Sequence, residues 1–141
     1  MAIVSRKAFV DSTIFIAFID RASPNHQKAV KIMENLAIRG LNLYTSSQVI
    51  IGTYAHFCRD ISNAVALEFF QAILQTGIEI LFPQKADLIT ANRILRANRE
   101  KQIAINEALN AILMQKRGIN QILTFSYWHK LFGTDVSSLA E

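Results

Sequence analysis

Four short apolar runs, at about residues 7–10, 41–45, 78–82 and 121–125, divide this chain into segments whose apolar residues recur at helical spacing. That alternation constrains the fold more than any other feature. Strand and helix in turn build an α/β domain, with a mostly parallel sheet of four to five strands and helices on both faces. Ile78 to Phe82 is apolar at four of its five positions and ends at Pro83, as a strand buried on both faces does. A chain of 141 residues suits one domain spanning 1–141 and can bury about two thirds of its unfolded surface without staples.

Local signals place the helices. Asp11-Ser12-Thr13 follows the first run and can cap a helix carrying Ile14, Phe15, Phe18 and Ile19. Ser23-Pro24 reads as an N-cap and a first-turn proline for a helix over 25–39, which Gly40 stops. Ser46-Ser47 can cap a helix at 48–59. A helix over 63–76 sets Ala66, Phe69, Phe70 and Ile73 on one face and stops at Gly77. Further helices are expected over 85–98, from Ile105 or Asn106 to Gly118, and briefly from Trp128 to Phe132.

Apolar residues make up 51% of the chain and charged ones 18%, which excludes a disordered polypeptide. The longest apolar run, Ile14 to Ile19, is far below the roughly 18 residues that cross a bilayer, so no membrane association is expected. Residues 1–10 hold Arg6-Lys7 but no apolar signal core, and a lone cysteine, Cys58, cannot form an internal disulfide. Cys58 reads as a half-buried thiol. A cytoplasmic setting is expected. The net charge of +4 is compatible with a nucleic-acid partner without requiring one.

In an open parallel sheet, ligands bind outside the carboxyl ends of the strands. Asp11, Ser46 and Ser126 each follow an expected strand. Glu107, in the first turn of a helix, reaches the same edge if the polar connection 99–104 lies there, and its carboxylate could then face Asp11. Taken singly, Asp11 reads equally well as a helix cap, Glu107 as a charge complementing the helix dipole, and Ser126 as a cap for the helix around Trp128.

Taken together, these residues resemble the PIN domain family, and within it the small toxin ribonucleases of bacterial VapBC pairs. Val10-Asp11-Ser12-Thr13 resembles the first family motif. Tyr44 to Thr53 resembles the second, with Gly52 where the family usually has Glu. Asn106-Glu107-Ala108-Leu109 resembles the third, with Glu107 in place of Asp. Gly118 to Ser126 resembles the fourth, with Ser126 in place of Asp. All four blocks occur in order across nearly the whole chain.

The resemblance implies a ribonuclease in which clustered carboxylates hold Mg²⁺ or Mn²⁺, leaving a 5′-phosphate and a 3′-hydroxyl. It assigns Asp11 and Glu107 as metal ligands and catalytic groups, and Ser126 as an accessory catalytic residue. Hard divalent ions prefer oxygen ligands, and the metal activates water. Two of the four acidic positions are replaced, so two function classes follow: an endoribonuclease of weakened or lost activity, or an inactive RNA- or protein-binding regulatory module. Expected partners are RNA, an antitoxin-like protein and a second copy in a homodimer. Gly52 reads either as an eroded catalytic position or as close packing against a neighbouring helix. His56, one turn along, is more simply a surface or packing residue than a ligand. Arg93, Arg96, Arg99 and Lys101 could track an RNA backbone or form a solvated face. Phe69, Phe70, Phe125 and Trp128 are expected in the core or an interface.

Overall fold

Ala8, Phe9 and Val10 are completely buried, which makes the first strand, β1 (Lys7–Val10), the centre of the sheet. The computed structural model describes residues 6–126, 128–129, 131–133 and 135–136. Among them β1 is followed by α1 (Ser12–Ile19), α2 (His26–Arg39), β2 (Asn42–Ser46), α3 (Ser47–Asp60), α4 (Asn63–Gln75) and β3 (Glu79–Leu81). Then come α5 (Lys85–Ala97), α6 (Ile105–Lys116), β4 (Gln121–Leu123) and β5 (Asp135–Val136). The five strands lie in the order β3-β2-β1-β4-β5, and every pairing is parallel. From β1 the chain first builds outward through β2 and β3, then crosses to β4 and β5. The switch point therefore falls between β1 and β4.

Helices cover both faces in a three-layer α/β arrangement. Residues Ala108 to Met114 of α6 are all buried, because the helix lies between α5 and the main core. Its direction is fixed at both ends. Ser46, closing β2, donates its hydroxyl to Asn110 Oδ1 at 2.7 Å. At the other end Lys7 Nζ donates to the Arg117 carbonyl at 2.8 Å, and Arg117 pairs with Glu79 at the start of β3. The first turn of α6 thus lies at the carboxyl edge of the sheet. Gly118 ends the helix at φ +68°, a left-handed conformation that favours glycine.

Lys116 Nζ reaches the carboxylate of Asp87, in the first turn of α5, at 3.0 Å, so α5 and α6 run antiparallel. The connection carrying Arg99 and Lys101 then lies at the same edge as Glu107. Asp87 is buried and also accepts the backbone N–H of Gln84 at 2.8 Å. That N–H bond chiefly, with Lys116, holds its carboxyl below the usual aspartate range against the opposing effect of burial. A depressed folded-state pKa gives stability that is present above the unfolded value, roughly 3.9, and lost as pH falls through the folded value. Urea midpoints compared at neutral and strongly acidic pH are expected to fall less steeply for Asp87→Asn than for the native chain. Equal pH dependence in the two would show that Asp87 is not a source of acid sensitivity.

Some local expectations are corrected. Helix α2 begins at His26: Ser23 instead closes the preceding turn, accepting the Asn25 N–H at 3.2 Å. Phe70 turns away from the core face of α4, which is Ala66, Phe69 and Ile73, and meets Tyr54 edge-on at 5.9 Å. Cys58 is exposed, because Phe57 takes the inward position beside it. The expected helix from Trp128 to Phe132 is replaced by a 3-10 turn at Leu131–Gly133, with residues 127 and 130 outside the described residues. In that stretch the His129 N–H donates to Glu107 of α6. No helix among the described residues is long and apolar enough to cross a membrane.

Candidate active site

Asp11 stands where β1 becomes α1, at the switch point, and its backbone N–H donates to Leu123 O of β4 at 3.1 Å. It is the N-cap of α1: Oδ1 accepts the Ser12 N–H at 2.6 Å. Oδ2 accepts two hydroxyls, Thr13 Oγ1 at 3.0 Å and Thr124 Oγ1 at 2.5 Å. Each of those hydroxyls in turn accepts a backbone N–H, from Phe125 at 2.9 Å and from Ser126 at 3.0 Å respectively. The strand ends of β1 and β4 are therefore joined through one carboxylate. A carboxylate is the natural hub because, when ionised, it only accepts.

Glu107 has a different set of partners. The backbone N–H of His129 donates to Oε2 at 2.7 Å, and His129 Nδ1 lies 2.8 Å from both carboxylate oxygens. Since the carboxylate has no proton to give, Nδ1 is the donor. The two side chains are only 12% and 17% exposed, so this pair is largely withdrawn from water.

A third cluster is centred on Asn110, whose Oδ1 accepts both Ser46 Oγ and Gln48 Nε2 at 2.7 Å. Gly52 is one turn beyond Gln48 on the same face of α3 and is exposed. A Cβ built on Gly52 meets nothing within 4 Å, which overturns close packing as the reason for glycine there. His56 pairs with Asp60, Nδ1 to Oδ2 at 3.0 Å, further along the same helix. Ser126 is exposed, and its backbone N–H is the part that enters the Asp11 network.

Asp11, Ser46 and Ser126 follow their strands at one edge and Glu107 opens α6 there, but among the described residues the two carboxylates accept from separate partners. Asn110 and His129 complete the arrangement without having been singled out, and Thr13 and Thr124 were named only as members of their motifs. Asn110 carried a signal, as a lone polar residue within the apolar run Ala108 to Met114; His129 carried none.

The family model for the PIN domain matches residues 8–126, so the chain belongs to the PIN domain family. Its fold is that of VapC-type toxins. It is similar to Mycobacterium tuberculosis VapC20, a toxin that cleaves the sarcin-ricin loop, at 19% identity and a TM-score of 0.76, covering 84% of this chain and 89% of that one. VapBC2 from Rickettsia felis, bound to a promoter DNA fragment, gives 15% identity and a TM-score of 0.63, covering 85% and 88%. FitAcB from Neisseria gonorrhoeae gives 14% and 0.61, covering 92% and 94%. Curated proteins give no significant sequence match.

The family implies a divalent metal, and the residues here fit that role poorly. Such a centre needs several oxygen ligands converging on one point. Among the described residues no three His, Cys, Asp or Glu side chains gather closely enough to hold an ion. Position 52 has no side chain, and Asp11 and Glu107 are turned to separate internal donors.

Proposed function

We propose that this protein is a toxin-type PIN domain that keeps an RNA-directed surface and has lost most of the Mg²⁺- or Mn²⁺-dependent hydrolysis typical of its family. The observation that carries this reading is the state of the four acidic positions. Two, Gly52 and Ser126, have no carboxylate, and a third, Glu107, is closed on His129. The attraction of a site for a dication scales with its charge, so halving the carboxylates weakens binding steeply.

The surface beside the site supports an RNA partner. Arg93, Arg96, Arg99 and Lys101 are exposed along α5 and the connection at the edge where Glu107 lies. Such groups neutralise backbone phosphates and supply affinity that falls with salt. Ser12, Thr13 and Gln48, half-buried at the strand ends, offer neutral polar groups. The toxin and antitoxin complex among the structural relatives supports an antitoxin-like protein partner, and the family habit of pairing supports a homodimer.

The test is RNA cleavage during titration with Mg²⁺ or Mn²⁺, for the native chain and for Asp11→Ala. The expected result is little or no metal-dependent cleavage in either, with salt-sensitive RNA binding retained. Robust cleavage by the native chain that Asp11→Ala abolishes would restore the full ribonuclease reading. Failure of the native chain to bind RNA at low salt would leave a protein-binding role as the better account.

A further inference from the structure

We infer that Glu107 in this chain is the anchor of the β4–β5 connection, acting through His129, and that the site at the strand ends binds no divalent cation. The inference rests on the degenerate-site reading above and adds to it a different job for the one acidic residue that the motif would make a second metal ligand.

Three donor contacts at 2.7 to 2.8 Å converge on the Glu107 carboxylate, all from His129. The backbone N–H and the ring N–H of one residue grip the two oxygens together. An ion at Glu107 would have to compete with both donors, which already fill three of the roughly four lone-pair sites of a carboxylate, in a place with little water. Nothing at Gly52 or Ser126 offsets that competition.

Asp11 resists recruitment for a related reason. Turning its Oδ2 toward an ion would break bonds from Thr13 and Thr124, whose hydroxyls also hold the backbone N–H groups of Phe125 and Ser126. The carboxylate oxygens that join β1 to β4 and α6 to the β4–β5 connection are the same ones for which a metal would have to compete.

The consequence of the anchor lies next to it. Trp128 is buried in the main core, and Leu131 packs against both that core and the cluster between α5 and α6. Pinning His129 on α6 holds these two side chains in place on either side of it. Glutamate is one methylene longer than the aspartate of the family motif, and that extra length carries the carboxylate out to the connection.

The experiment uses the full chain, with Mn²⁺ as the probe, and reads thermal unfolding, calorimetric binding and the emission of Trp128, the single tryptophan. The native Tm is expected to be the same in EDTA and in millimolar Mn²⁺, with no binding heat. Glu107→Gln and His129→Ala should each lower Tm by several degrees and shift the tryptophan emission to the red, equally with and without metal. The double variant should be no worse than the weaker single one, because both remove one interaction. Glu107→Asp keeps the charge and supplies the family residue, so it also serves if Glu107→Gln does not fold. As an anchor shortened by a methylene it should lose Tm and bind no Mn²⁺.

A rise in native Tm with Mn²⁺ that Glu107→Gln abolishes would overturn the inference, as would Mn²⁺ binding gained by Glu107→Asp without a change in tryptophan emission. Robust RNA cleavage by the native chain in Mn²⁺, abolished by Asp11→Ala, would overturn the proposed function itself. Mn²⁺ binding through Glu107 without cleavage would overturn only the present inference.

Discussion

Gly52→Glu combined with Ser126→Asp is expected to convert this protein into one that binds Mn²⁺ and cleaves RNA on the order of 10²-fold faster than the native chain, a gain of the size that ligand-shell changes bring to metal sites. The space is already there. A side chain at 52 begins in open volume, on the face of α3 from which Gln48 reaches across to Asn110 of α6. Replacing a glycine within a helix also favours the fold by up to about 1 kcal/mol. Position 126 is exposed and two residues from Thr124, whose hydroxyl bonds Asp11. The two added carboxylates supply oxygen ligands with no internal donors to displace, Asp11 adds its charge without leaving Thr13 and Thr124, and Glu107 stays on His129. Calorimetric titration with Mn²⁺ and cleavage of a generic RNA check the outcome. No change in either would mean that positions 52 and 126 do not line one site with Asp11.

The fold was legible because each local signal agreed with its neighbours. The position of Asp11 at a strand end could be read from the sequence, which left a helix cap and a metal ligand both open, and the structure has Asp11 as cap with Thr13 bonded to it. The edge occupied by Glu107 followed from the sequence only on the condition that the polar connection 99–104 lay there. What the carboxylate does there did not. Its partner is His129, 22 residues further on in a segment whose pattern suggested a helix, and a backbone N–H that bonds a side chain leaves no trace in hydrophobic spacing. Gly52 failed for the opposite reason. Helical glycine suggests close packing, whereas here the cost of glycine is borne with open space in front of it. Phe70 marks the limit of facial periodicity, since four apolar residues at helical spacing do not say which of them the α3–α4 contact leaves outside.

The largest loss of stability is expected from Phe57→Ala. Phe57 is wholly buried on α3, and its ring meets Phe69 of α4 at 5.5 Å and 66°, while Phe69 meets Phe15 of α1 at 5.7 Å. One aromatic chain thus ties three helices together, and α3 is the helix that presents Gln48 and Gly52 to the site. Truncating a buried phenylalanine costs about 3–5 kcal/mol in transfer and cavity terms. A domain of this size has roughly 5–15 kcal/mol in total, so the loss approaches the whole reserve. At roughly 3–4 °C per kcal/mol, between the values for smaller and larger domains, Tm should fall by about 10–20 °C. The denaturant midpoint should move with little change in slope, because the native surface is otherwise kept. Phe57→Leu leaves a smaller void and should cost less than half as much. If Phe57→Ala costs under about 1 kcal/mol, the α3–α4 pair is not part of the cooperative core, and α3 cannot be the rigid wall that an engineered carboxylate at position 52 requires.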